Sequence, residues 1–115
     1  MNTLIKIIIS AFAVIITAYL LPGVTVPDFL TALIIAAVLS VLNSILKPIL
    51  IILTIPITFF TFGLFLLVIN AAIIMLTTRI VTGFKVDGFW WAVAFSIIMA
   101  IVSSILESFN KDKHH

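Results

Sequence analysis

The 115 residues contain no cysteine, which excludes disulfides and thiolate metal sites and removes any reading of redox compartment. Charge is scarce too: Asp, Glu, Lys and Arg make up 9%, against roughly 25% in an average soluble domain. The only acidic residues are Asp28, Asp87, Glu107 and Asp112, and none falls inside an apolar segment if the last segment ends before Glu107. A proton-coupled carrier needs an intramembrane titratable group, so that class is disfavoured. Histidine occurs only as His114 and His115, where it looks like the start of a purification tag. No catalytic Ser-His pair or glycine-rich phosphate loop exists, so no enzyme, cofactor or metal site is expected. Six basic residues spread along the whole chain form no patch, which speaks against nucleic acid.

What the chain does have is apolar sequence, 64% of all residues, with a mean hydropathy of +1.47. It is organised as a repeat. Leu4 to Leu46 aligns without gaps on Leu64 to Leu106, a shift of 60 residues, with eleven of 43 positions identical. Matches among Ile, Leu, Val and Ala are cheap. The shared Gly-x-x-Val-x-x-Phe at 23–29 and 83–89 carries more weight. Each copy is a pair of bilayer-length segments: about Leu4–Leu21 and Phe29–Leu46, then Leu64–Val81 and Phe89–Leu106. Eighteen helical residues span about 27 Å, close to a hydrocarbon core. Residues 1–21 lack a small-x-small cleavage site and are read as a retained span rather than a signal peptide. Pro22-Gly23 ends the first segment and Gly83 the third; Asp28 and Asp87 are the expected N-caps of the second and fourth.

Residues 47–63 have no repeat partner. Lys47-Pro48 is expected to halt the second segment, leaving 14 apolar or hydroxyl residues interrupted by Pro56 and closed by Gly63. That is short for a crossing and suits a re-entrant or interfacial piece. The expected division is therefore 1–46, 47–63, 64–110 and a tail at 111–115. The fold class is all-α: four transmembrane helices as two parallel repeated hairpins plus a short segment at about 48–62. A fifth crossing would instead invert the repeats. The positive-inside rule sets Lys6, Lys47, Lys111 and Lys113 against Arg79 and Lys85, which places both termini in the cytoplasm.

Candidate residues follow from this frame. Ala32, Ala36, Ser40 and Ser44 recur every fourth residue, as do Ala92, Ser96, Ala100 and Ser104. Such rows pack helices closely in lipid, so the second and fourth segments are expected to cross on the pseudo-two-fold axis, with contact to another copy as the alternative. Asn43 and Asn70 are intramembrane amides that need partners, as helix glue or along a solute path. Lys47 and Arg79 are expected to snorkel to head groups, and Trp90 and Trp91 to sit at the interface. Thr54, Thr58 and Thr61 can satisfy backbone groups freed near Pro56.

Pro22-Gly23-Val24 with Val26 and Phe29, Leu42-Asn43, Lys47-Pro48-Ile49-Leu50, Pro56-Ile57-Thr58, Thr61-Phe62-Gly63-Leu64, Asn70 and Gly83-Phe84 together resemble phage holin superfamily IV, the four-span, YvlD-like bacterial membrane family. The resemblance covers about residues 4–106 and implies a small inner-membrane protein that oligomerises and permeabilises the bilayer. It brings no catalytic residues. A non-lytic structural or accessory protein of envelope stress, acting with an unidentified membrane partner, and a narrow channel or uniporter are the other readings. The bilayer and a second copy of the chain are the expected partners.

Overall fold

The computed structural model describes residues 2–112, with side chains described through Phe109. In chain order it comprises α1 (Thr3–Leu20), β1 (Val24–Thr25), α2 (Phe29–Leu53), α3 (Ile55–Phe60), α4 (Phe65–Ile80), β2 (Lys85–Val86) and α5 (Phe89–Asp112). Helices α1, α2 and α5 are each long and apolar enough to cross a bilayer, and α4 is a shorter apolar helix of 16 residues. This is an all-α, four-span membrane architecture, with one small addition. The two hairpin loops meet as a ribbon in which Val24 pairs with Val86 and Thr25 with Lys85, antiparallel.

The register of that ribbon is informative. Residue 85 is residue 25 shifted by 60, so Thr25 pairs with its own repeat equivalent. An antiparallel pair between equivalent positions requires a two-fold relation, and its axis passes between these two residues. Both loops therefore lie at one end of the bundle and both hairpins point the same way. With no native cysteine, single substitutions report this directly. Cysteines replacing Lys6 and Lys47 should react with an impermeant reagent from one side, and a cysteine replacing Lys85 from the other. Labelling of positions 6 and 47 from opposite sides would contradict the topology.

The helices pack as a ring, with α1 against α2 and α5, and α4 against α2 and α5. α2 and α5 thus stand across a diagonal, and the expectation that they cross on the axis is corrected. The reason is visible in the small-residue rows. Ala32, Ala36 and Ala92 are buried in the shared core, but Ser40 and Ser96 are half-buried and Ser44, Ala100 and Ser104 exposed. A core of seven repeat pairs occupies the space at the loop end: Ala11/Ala71, Ala13/Ile73, Val14/Ile74 and Thr17/Thr77, then Val24/Phe84, Ala32/Ala92 and Ile35/Phe95. Phe84 and Phe95 pack with ring centroids 5.6 Å apart. These rings fill the axis, and the helices part toward the termini. Along α1 and α4, the buried and exposed positions of 11–20 repeat without change at 71–80.

Two further expectations are corrected. Lys47-Pro48 does not stop the second helix, and the boundary expected at residue 46 is not a break: α2 runs on to Leu53 with Pro48 inside it. Proline removes one ladder bond to the carbonyl of Ser44. Both residues are exposed, so the freed carbonyl is not sealed inside the bundle. The break falls at Thr54, whose hydroxyl donates to the Leu50 carbonyl at 2.7 Å, and Pro56 opens the short α3. Thr61 donates to the carbonyls of Ile57 and Thr58, and its oxygen accepts from the Phe65 N–H at 3.2 Å. Phe62 and Gly63 then take left-handed backbone, φ 55° and 86°, to turn the chain into α4.

Asp87 is not in the capping position either. The N–H of Ala92 bonds the carbonyl of Gly88, as that of Ala32 bonds Asp28, so α5 opens at Phe89 as expected but Gly88, not Asp87, stands where Asp28 stands in α2. Asp28 does cap α2, accepting from the Thr31 N–H at 2.8 Å, and that bond holds its carboxyl below the usual aspartate value. Residues 113–115, including the two tail histidines, lie outside the described residues.

Candidate functional site: a one-ended polar vestibule

Where the helices part, they enclose a cavity of about 260 Å³ to which all four contribute. α1 supplies Lys6 and Ser10, α2 supplies Asn43 and Lys47, α4 supplies Asn70, and α5 supplies Ser96, Ser103 and Glu107. Residues four apart share a helix face, so Lys6/Ser10, Asn43/Lys47 and Ser103/Glu107 are three polar ladders with the charge nearer the termini. Leu39, Ile73, Ile74 and Met99 complete the wall below the sealed core.

The repeat orders this lining. Ser10 is equivalent to Asn70, Asn43 to Ser103, Lys47 to Glu107, and Leu39 to Met99. Among the charged lining residues Lys6 breaks the pattern, because its equivalent is Leu66. Among the described residues the mouth therefore holds two lysines and one glutamate.

The hydrogen bonding of the two ends differs. At the sealed end, buried hydroxyls bond their own helices: Thr17 to the Ala13 carbonyl at 2.7 Å and Thr77 to that of Ile73 at 2.8 Å. Among the described residues the Asn70 and Asn43 side chains make no such bond and face the cavity. An amide left without a partner in an apolar medium costs roughly 2–7 kcal/mol. A space of about 260 Å³ is large enough for several waters, and hydration would remove that cost. Asn70 stands in the vestibule wall.

A second cavity of about 240 Å³ adjoins the first and shares Lys6, Ser10, Leu39, Asn43 and Met99 with it. It lies between α1 and α2, where Ala36, Ser40 and Ser44 leave room. The small-residue row of α2 therefore lines space as well as packing a helix, and Ser96 and Ala100 of α5 do the same in the main vestibule. Ser104 is exposed.

Of the other candidate residues, Lys47 turns into the vestibule mouth, whereas Arg79 is exposed at the loop end of α4. Trp90 is exposed, and Trp91 is half-buried over Gly23. Pro22 and Gly23 follow α1, and Gly83 follows α4 with φ 94°. Lys6, Ser10, Ser103 and Glu107 were not singled out from the sequence as site residues. Polar residues recurring at equivalent positions 10/70, 43/103 and 47/107 are the signal that marks most of them. Glu107 was placed at a membrane edge, but α5 continues to Asp112 and carries it along the vestibule wall.

Fold and site together define a small integral membrane protein: four spans in two like-oriented hairpins around a polar chamber open at one end. The chain belongs to the family described as mycobacterial 4 TMS phage holin, superfamily IV, which it matches over residues 1–105. It is 37% identical over 121 residues to an uncharacterised protein of Streptomyces coelicolor, covering 96% of this chain and 97% of that one. It is 35% identical over 104 residues to the uncharacterised membrane protein YvlD of Bacillus subtilis, covering 90% and 87%. No solved structure matches it.

Proposed function

We propose that this holin-like protein permeabilises a bacterial inner membrane through its own bundle, as a gated path for water and small polar solutes. The observation that carries the reading is the vestibule built by all four helices, with Lys6, Ser10, Asn43, Lys47, Asn70, Ser96, Ser103 and Glu107 in its wall. A wide lesion between many copies would need polar outer faces. Here the outer surface is large and apolar, including Leu4, Phe12, Ile34, Val41, Trp90 and Ile101, while Ala36, Ser40 and Ser96 of the Ala/Ser rows line the cavities. Self-association then uses apolar faces and leaves the path within each chain. The positive-inside rule supports a cytoplasmic mouth, since Lys6 and Lys47 stand there with both termini.

In liposomes of defined lipid, the protein is expected to pass small ions without releasing entrapped dyes of several hundred daltons. Asn70→Leu, which replaces the wall amide with an apolar side chain, should lower the ion flux at least tenfold. A folded, correctly oriented protein that passes no ions at any applied potential would remove the proposal. The packed Phe84/Phe95 layer favours a second reading, a non-conducting accessory membrane protein. Co-purification of one defined membrane partner, with no flux, is its signature.

A further inference from the structure

We infer that the α1/α2 side of the vestibule is a binding site for the phosphate group of an anionic lipid that enters sideways from the leaflet. The inference deepens the vestibule reading by naming what occupies its wall. Three independent features meet there. Among the described residues Lys6 and Lys47 are the cations that line the cavity, Lys6 exposed at its rim and Lys47 half-buried. Asn43, one turn below Lys47, and Ser10, one turn below Lys6, add neutral donors on the same faces. The second cavity continues from this group between α1 and α2, along the small side chains of Ala36, Ser40 and Ser44.

The geometry also distinguishes the two halves. The corresponding seam between α4 and α5 would have Leu66 in place of Lys6 and Glu107 in place of Lys47. A phosphate attracted to one seam is repelled at the other, so the pseudo-symmetric body offers a single anionic site. Phosphate oxygens accept from ammonium and amide donors with short, charge-assisted bonds, and lysine serves as a point charge for that purpose. A soluble anion would need only the central chamber. The side cleft, with apolar Ile7 and Leu39 beside the polar group, supplies what a head group attached to acyl chains requires.

The test uses the whole chain in nanodiscs of phosphatidylcholine with and without phosphatidylglycerol, followed by native mass spectrometry of retained lipid and by thermal unfolding. Wild type should retain phosphatidylglycerol in preference to phosphatidylcholine and unfold at higher temperature when it is present. Lys6→Gln and Lys47→Gln should each reduce the retained anionic lipid at least tenfold, Lys47→Arg should largely restore it, and Lys85→Gln at the opposite end should leave it unchanged. Equal retention in the Lys6, Lys47 and Lys85 variants would overturn the site. Equal protection of wild type by inorganic phosphate alone would overturn lateral lipid entry and identify the free anion as occupant. Lost lipid preference with intact ion flux removes this inference alone, and lost flux with intact preference removes only the conduction reading.

Discussion

Gly23→Ala should give one of the least stable single variants of this chain. A Cβ at residue 23 would fall within the indole of Trp91, against its Cγ, Cδ2 and Cε2 atoms. Gly23 is buried, and the ring is held by the start of α5, so neither partner has an easy escape. Overpacking of this kind costs about 1–3 kcal/mol when neighbours can shift. Contact with a rigid ring system places this case at the upper end. Thermal unfolding in detergent should show the loss, and Trp91→Ala in the same chain should recover much of it, because the cycle removes the shared clash. Unchanged stability in Gly23→Ala would mean that the indole does not cover the loop. Gly83, the repeat equivalent, answers to a different constraint: its φ of 94° and the Pro27 ring 3.0 Å from a built Cβ. A Trp91 substitution should therefore not rescue Gly83→Ala.

Phe95→Ala should be comparably damaging, and it should also change permeability. Phe95 is fully buried, and with Phe84, Ile35, Thr17 and Thr77 it forms the layer that closes the vestibule at the loop end. Truncating a buried phenylalanine costs about 3–5 kcal/mol through lost contacts and the void left behind. In lipid the contact loss dominates, since acyl chains are as apolar as the ring. If the vestibule is the solute path proposed above, the void would extend it, and surviving folded protein should conduct ions at least tenfold faster than wild type. Phe95→Leu, which keeps most of the volume, should remain folded with a smaller increase. Lower flux from a well-folded Phe95→Leu would show that this layer is not the barrier.

The hairpins, their parallel sense and the four spans were legible because hydropathy and the 60-residue repeat both point to them. The loop signature marked the region where the two halves actually join, although the pairing of Thr25 with Lys85 was not anticipated from it. The fate of Pro48 was less legible. A proline reads as a stop, and only its place at an exposed bundle edge shows why α2 continues. The small-residue rows were read as one uninterrupted contact between α2 and α5. Residue size sets how closely backbones approach, but not which neighbour approaches, and Ile35 with Phe95 fills the diagonal instead. Glu107 was missed because hydropathy ended the last segment too early. The vestibule was partly visible in Asn43, Asn70 and Lys47, yet each was weighed singly; superimposing the two halves assembles them with Ser10, Ser103 and Glu107.

The ribbon at the loop end has an ancestral implication. A strand that pairs antiparallel with its own duplicate is what two separate copies of a half-length hairpin would form on meeting, so the present chain looks like a symmetric dimer joined end to end by residues 47–63. Joining allowed what identical subunits cannot do. One half carries lysine at 47 where the other carries glutamate at 107, a charge difference that two identical subunits could not hold across their axis.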